Sequence, residues 1–385
     1  MPTRRAILIT GAASAVVIGG GLFAYDIFSP TLAEAREPWR HASEGLGDTR
    51  LDILAYAILA PNPHNRQPWL IELVGQNRIR IFADLDRMLP ATDPPNRQIT
   101  IGFGAFLELL RMAAAEKGYR ADVTPFPEGE PQPLLDERPI ADIRLDRDPD
   151  VERDPLFDAV LERHTNREHY EPEPVSDRQF ESLARALPDR QRVDFGWTNG
   201  PRRVAAIQTI ARDAWLIEYR TPHTYQESVD LMRIGAEEAN ANPDGIVLDG
   251  PVMEAGSNLG IVTREKLADP TSYAYSQGID FYSAIIDSSP SFAWLFSADN
   301  SRATQLATGA TWVRLHLAAT AAGLAMQPLS QALQEFSEMA EQYRRIHTAL
   351  DIAAPARAQG LFRIGTGPSI EPAPRWPLES RIVAA

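Results

Sequence analysis

The 385-residue chain contains no cysteine. Disulfides, thiolate metal sites and cysteine nucleophiles are excluded together. Positive charge is also scarce: 38 Lys and Arg stand against 52 Asp and Glu, a net charge of −14. A nucleic-acid surface needs clustered Lys and Arg on one face, so small molecules are the expected partners instead. The 7 histidines, at 41, 64, 164, 169, 223, 316 and 347, show no HExxH-type spacing, and no dedicated metal site is expected. Apolar residues are not scarce. They make up 44% of the chain, which at this length permits a sizeable core divided among roughly one to three domains.

The longest uncharged run stands at the N-terminus. Arg4-Arg5 directly precedes Ala6–Tyr25, a stretch without charge that fits a twin-arginine export signal. Residues 1–30 are therefore set apart from the fold. No A-x-A cleavage pattern follows, and about 20 apolar residues suffice to span a bilayer, so the segment reads equally as a removed signal and as a retained anchor. The expected location is the periplasm or the outer face of the inner membrane.

Beyond residue 30, helical and strand periods alternate, which predicts an α+β chain. "DILAYAIL" (52–59) reads as a helix end, "WLIELV" and "RIRIFA" as strands joined by a Gly-Gln-Asn turn, and "GAFLELLRMAAAEKG" (104–118) as a helix stopped by Gly118. "ADVTPF" and "ADIRL" read as strands. The acidic "DPDVERDP" (148–155) is the expected linker. "LFDAVLER" and "SDRQFESLARAL" read as helices, "RVDFGW" as a strand, and 201–300 as mostly helical with long loops. The helix 104–118 shares Gly-Ala at its start, one leucine, an Ala-Ala pair and a closing glycine with "GATWVRLHLAATAAG" (309–323), all at one offset. That is a signal of internal duplication.

Two stretches concentrate polar and fixed-geometry residues. "APNPHNRQPW" (60–69) lies between a helix and a strand, and its prolines fix the turn. Its plain structural reading is an Asx-turn feeding a strand, with Pro68 and Trp69 in the core. "RHTNREHYEPEPV" (163–175) alternates Arg163, Thr165 and Arg167 with other residues. Extended backbone would point all three side chains one way, as an anion clamp of two guanidiniums and a hydroxyl. A solvated polar loop is the alternative.

Taken in order, these stretches resemble the nitroreductase superfamily of FMN proteins, and within it the fused, double-domain Acg-like branch. "APNPHNRQPW" is similar to that family's Ser-Pro-x-x-x-Asn-x-Gln-Pro-Trp, and "RHTNREHYEPEPV" to its Arg-Arg-Ser-x-Arg motif. "AAGLAMQPLS" (321–330) is similar to its Gly-Leu-x-x-x-Pro loop, and "FRIGTGP…PAPRWPLESRI" to its closing Gly and Arg-x-Pro.

The resemblance implies a nitroreductase-like α+β fold of two pseudo-symmetric halves, 45–150 and 155–382, fused as an intramolecular pseudo-dimer with a lid within 215–300. It also implies FMN. Pro61, Asn62, Pro63 and Asn65 would face the ring or ribityl chain, Arg163, Thr165 and Arg167 the phosphate and ribityl hydroxyls, and Arg375 the phosphate. Pro328, Leu329 and Ser330 would lie beneath the ring, with a backbone N–H near Ser330 on the flavin's hydride-accepting nitrogen. Trp376 stands where many members carry a second basic residue, which hands that role to Arg381 or leaves it empty. Each half holds one kind of motif and lacks the other, so a monomer with one FMN is expected. The implied activity is an exported oxidoreductase passing electron pairs to nitro or quinone compounds, with NAD(P)H the family's usual donor. The alternative is an FMN-sequestering protein with little turnover.

Overall fold

The computed structural model describes residues 31–187 and 192–383; the twin-arginine segment lies outside the described residues. After a short helix α1 (Glu37–His41) and α2 (Thr49–Ala57), the strands β1 (Trp69–Val74) and β2 (Arg78–Ala83) form an antiparallel hairpin across the expected turn. Helix α3 (Arg97–Glu116) follows, then β3 (Tyr119–Pro125) and β4 (Ala141–Arg147). The linker leads into a 3-10 turn, Pro155–Ala159, where the sequence suggested a longer helix. Pro155 removes one donor and its neighbours Asp154 and Asp158 favour local turns over propagation.

The second half repeats this plan. Helix α4 (Asp177–Arg185) begins with a capping box, in which Ser176 Oγ accepts from Gln179 N and the Gln179 side chain accepts from Ser176 N. Strand β5 (Asp194–Thr198) leads into an insertion of α5 (Pro201–Arg220), α6 (Pro222–Asp230), β6 (Met232–Ile234), α7 (Gly235–Ala241), β7 (Ile246–Leu248), α8 (Pro251–Asn258), α9 (Arg264–Ala268) and α10 (Tyr273–Asp287). The chain then returns through β8 (Ser291–Ser297), α11 (Arg302–Ala321), β9 (Ala325–Pro328), α12 (Ala340–Ala349) and β10 (Arg357–Gly365).

The sheet orders make the duplication explicit. One sheet runs β11-β1-β2-β4-β3 and the other β5-β8-β10-β9, so leaving out β11 (Ile382–Val383) gives the same antiparallel order in both halves. The insertion occupies the connection between β5 and β8, where the first half has only the turn between β1 and β2. β11 belongs to the other half's sheet: the tail leaves β10 and pairs in parallel with β1, Ile71 opposite Ile382. The second half's tail thus closes one edge of the first half's sheet.

The repeated helices α3 and α11 pack on each other, and glycines allow it. A Cβ on Gly104 would lie 2.0 Å from Leu306 O, and one on Gly309 1.8 Å from Ile101 O. Backbone therefore touches backbone at the crossing, at the two glycines that open the repeat. Leu306, Val313 and Leu317 of α11 enter the first core beside Phe103 and Phe106, and Ile101 of α3 enters a core of the second half. Trp69 is fully buried against Phe106, with ring centroids 5.0 Å apart.

Candidate functional site

The turn after α2 is conformationally unusual. His64, Asn65 and Gln67 all have positive φ (46°, 50° and 49°), a region that non-glycine residues enter only when tertiary contacts hold them. Several contacts do. Pro61 is buried. Asn62 Oδ1 accepts from Gln67 N (2.8 Å) while Asn62 Nδ2 donates to Ala60 O (3.1 Å). Gly102 of α3 backs the turn, since a Cβ there would meet Asn62 Cβ at 3.1 Å and Pro63 Cδ at 3.4 Å. Asn65 binds the C-terminal tail: its Nδ2 donates to Pro374 O (2.9 Å) and its Oδ1 accepts from Arg375 Nη1 (2.7 Å).

Arg375 is 4% exposed. Besides Asn65 it donates to Ile58 O (3.1 Å), Leu59 O (3.1 Å), Ala60 O (3.2 Å) and Pro374 O (2.9 Å), which engages every N–H that a guanidinium carries. The first three of these carbonyls belong to the C-cap residue Ile58 and the two residues after it, just past α2, where no intrahelical donor reaches and the helix's C-terminal end favours a cation. Arg375 therefore supplies charge here, and no uncommitted donor for a phosphate. Arg163, 2% exposed, shares this end of α2 through Leu59 O (2.9 Å). Its Nη1 lies 3.5 Å from His316 Nδ1 and its Nε has no partner. Burial pushes Arg163 down to about 10 and Arg375, beside it, down to about 9. Both stay charged at neutral pH.

Three neighbours complete this cluster. His316, on α11, has Nε2 3.1 Å from His164 O and so donates there, leaving Nδ1 to accept from Arg163. His164 donates from Nδ1 to Ile370 O (3.1 Å), and its Nε2 is buried without a partner. Burial first, then the Arg163 charge, pushes His164 down to about 4. Trp39 covers the group, with its ring 5.7 Å from the Arg163 guanidinium carbon, 5.3 Å from that of Arg375 and edge-on to His164 at 5.2 Å. Its Nε1 donates to Ala373 O (2.9 Å). Sequence reading passed over residues 31–44; the only local signal was Pro38-Trp39 in a polar stretch.

The alternation expected for Arg163, Thr165 and Arg167 is not what the backbone does. Thr165 makes a single parallel bridge to Met326, without continuing as a strand, and the segment turns. Arg163 points inward while Arg167 is exposed. The Arg167 charge reaches His64 of the first half, which burial pushes down to about 4 with Arg167 as the next cause, and it also acts on Tyr282 of α10. Tyr282 Oη accepts from Gln327 Nε2 (3.1 Å), beside Pro328. The loop residues divide. Leu329 is 1% exposed in a core with Leu333 and Leu361, and its N–H donates to Leu361 O (2.8 Å), so it offers neither an apolar shelf nor a free donor. Pro328 and Ser330 are half-buried.

The insertion reaches back to the same turn. Gly245 N donates to Asn65 O (3.4 Å) and Gln67 Nε2 donates to Pro243 O (2.8 Å). Between them the buried Asp244 accepts from Arg87 Nη1 (2.5 Å), Arg233 Nη2 (2.5 Å) and Trp376 Nε1 (3.2 Å), with Arg66 at 3.8 Å. Burial works to raise the Asp244 pKa, and the surrounding cations outweigh it and leave it lowered. Trp376 thus ties the tail to the insertion. Two surface clefts, one lined by Asp213, Arg220 and Glu338 and the other by Arg111, Arg153 and Arg185, contain none of these residues.

No family model matches the chain. In sequence it is similar to the putative NAD(P)H nitroreductase acg of Mycobacterium tuberculosis, 27% identical over 327 residues, covering 83% of this chain and 89% of that one. It is also similar to the putative NAD(P)H nitroreductase Rv3131 of that organism, 25% identical over 344 residues, 86% and 89% of the two chains. The probable NAD(P)H nitroreductase PigM of Serratia is 26% identical over 203 residues, 51% of this chain and 55% of that one. Among solved structures, the FMN-dependent nitroreductase NfnB of Mycobacterium smegmatis in complex with NADPH aligns at a TM-score of 0.37 and 17% identity. That alignment covers 58% of this chain and 96% of that one.

Proposed function

We propose that this chain is an exported, FMN-dependent oxidoreductase of nitroreductase type, built as a single-chain pseudo-dimer. One observation carries the reading: Asn65 and the end of α2 in the first half meet Arg163 and Arg375 of the second in one buried cluster. The donor set suits a phosphate-bearing cofactor. Arg163 keeps N–H groups without acceptors, its buried Nε among them, and His64 Nδ1 is buried without a partner, whereas His164 Nε2 is the unprotonated nitrogen of its ring and can only accept. A dianion in such a place requires charge-assisted donors, and unmet buried donors are otherwise costly. Arg163, Thr165 and Arg167 would hold the phosphate and ribityl end, Arg375 would add charge, and Pro61, Asn62, Pro63, Pro328 and Ser330 would border the ring. When bound, FMN supplies the exchange of an electron pair, taken from a reductant such as NAD(P)H and passed to a nitro or quinone acceptor. The protein's part is to orient the ring and limit access to it.

A second reading has its own support. The Asp244 network fastens the insertion over the Asn65 turn, as a cover would be fastened in a protein that stores FMN with little turnover. Titration of apoprotein with FMN, followed visibly and combined with solution mass, tests the common part: one flavin per monomeric chain is expected, and no binding, or two per chain, overturns it. Reduction by NADPH and by dithionite, then reoxidation by a nitroaromatic, separates the readings. Reduction by dithionite alone, with no acceptor faster than oxygen, favours storage. The N-terminal 30 residues are read as a twin-arginine signal, either removed or retained as an anchor, and Lys-Lys in place of Arg4-Arg5 should leave the protein in the cytoplasm.

A further inference from the structure

Exposed large apolar side chains are not spread evenly over this molecule. Among the described residues the four most exposed, Leu259 (74%), Tyr273 (72%), Val252 (71%) and Phe281 (63%), all lie on the insertion, with Ile261 (49%) beside them in sequence. Val252 and Leu259 are two helical turns apart on α8 and its end, hence on one face. The turn after them folds back, Ile261 N and Val262 N both donating to Gly256 O (2.7 and 3.0 Å). Single exposed apolar residues need no explanation, whereas a cluster marks an interaction surface.

The same region receives the N-terminal segment. Thr31 O accepts from Asn240 Nδ2 (2.8 Å), Asn240 Oδ1 accepts from Ala35 N (3.0 Å), and Arg36 lies 3.7 Å from Asp249. Leu32 is buried against Ala236, Ala239 and Val247. The chain therefore enters on α7 and β7, immediately before α8. Ahead of it stands the uncharged run Ala6–Tyr25, and only residues 26–30 separate the two. Those five residues reach at most about 18 Å when fully extended.

We infer that the Val252–Leu259–Ile261 face of the insertion rests on the lipid bilayer in which the N-terminal run is held. The inference relies on the anchor reading given above. A tether this short keeps α7, β7 and the start of α8 close to the membrane, and an apolar face in that position is covered by acyl chains and headgroups. The contact needs no basic patch, because a spanning segment already supplies the attachment.

The absence of cysteine makes the test direct. The full chain carrying Leu259→Cys or, as a control on α4, Arg178→Cys is labelled with an environment-sensitive fluorophore. It is then reconstituted in phosphatidylcholine vesicles with and without brominated acyl chains. Bromolipid should quench the label at 259 several-fold more than the label at 178. Equal quenching, with the protein still sedimenting with the vesicles, overturns the proposed contact and leaves the anchor intact. Failure to sediment removes the anchor reading and the contact with it. A shift of the 259 label that grows with protein concentration in the absence of vesicles means that a second copy covers the face, and the inference is wrong.

Discussion

Substituting Gly309 by alanine tests whether the crossing of α3 and α11 joins the two halves as the geometry requires. Helix propensity alone predicts that Gly309→Ala stabilises α11 by about 1 kcal/mol. The structure predicts the reverse. The new methyl would lie 1.8 Å from Ile101 O and 2.7 Å from Ala105 N, backbone atoms of a rigid helix that cannot rotate aside. Restoring an ordinary contact requires about 1.5 Å of separation, and a shift of that size forfeits roughly half of the dispersion between the facing surfaces. Overpacking of this kind costs about 1–3 kcal/mol, more where backbone is the obstacle. The net expectation is a loss of about 2 kcal/mol or more. FMN affinity should fall as well, because the first-half turn rests on α3 at Gly102 while His316, which orients Arg163, rides on α11. Urea unfolding monitored by tryptophan fluorescence gives the first quantity and FMN titration the second. A midpoint equal to or above that of the parent protein would refute the crossing.

Other outcomes follow from the same contacts. Arg163→Ala should weaken FMN binding by about 1.5–3 kcal/mol, the range for a hydrogen bond to a charged group, as measured by equilibrium titration. An unchanged affinity makes Arg163 a structural ligand of Leu59 O. Asp244→Asn removes the anion from among Arg66, Arg87 and Arg233 and should cost about 3–5 kcal/mol of local stability; limited proteolysis and hydrogen exchange should open first at 231–249, with faster FMN release. Burial pushes the Glu218 carboxyl up to about 7, against the Gln334 hydrogen bond, from 4.5 in the unfolded chain. The folded state then holds this proton where the unfolded state has lost it, so stability falls as pH rises from 4.5 to about 7 and is level above. Glu218→Gln should remove that fall, which denaturant midpoints across the window will show.

Local pattern carried much of the fold. The hairpin of β1 and β2, the helix stopped at Gly118 and the cap at Ser176 all rest on residues close in sequence, and their side chains state the local geometry. What lay outside reach was non-local. β8 is apolar at nearly every position because both its faces are buried in the second sheet, and such a run has no strand period to read. The pairing of β11 with β1 depends on where a proline-rich tail travels, which no window contains. The same holds for Trp39, whose role comes from being laid over two arginines remote in the chain. At the clamp, the residue types were legible and their directions were not: one bridge at Thr165 replaced the strand that alternation assumes.

The asymmetry of the fused halves has a physical consequence for how many sites the chain can build. In two identical subunits any insertion between the first and second strands would appear twice, and each copy would cover the other's turn. Here only the second half carries it. The insertion reaches across to the first-half turn through Gly245 and Pro243, and the tail meets it there through Asn65, Arg375 and Trp376. These contacts of the insertion and the tail are thus gathered at one of the two pseudo-equivalent positions. Residues 31–41 precede α2 as the clamp precedes α4, yet Trp39 and Arg36 of that segment bind the tail at Ala373 O and Pro372 O, so the segment closes the same position and does not build a second. Fusion frees each copy from serving both roles, and the contacts made by the insertion, the tail and residues 31–41 converge on one of the two positions.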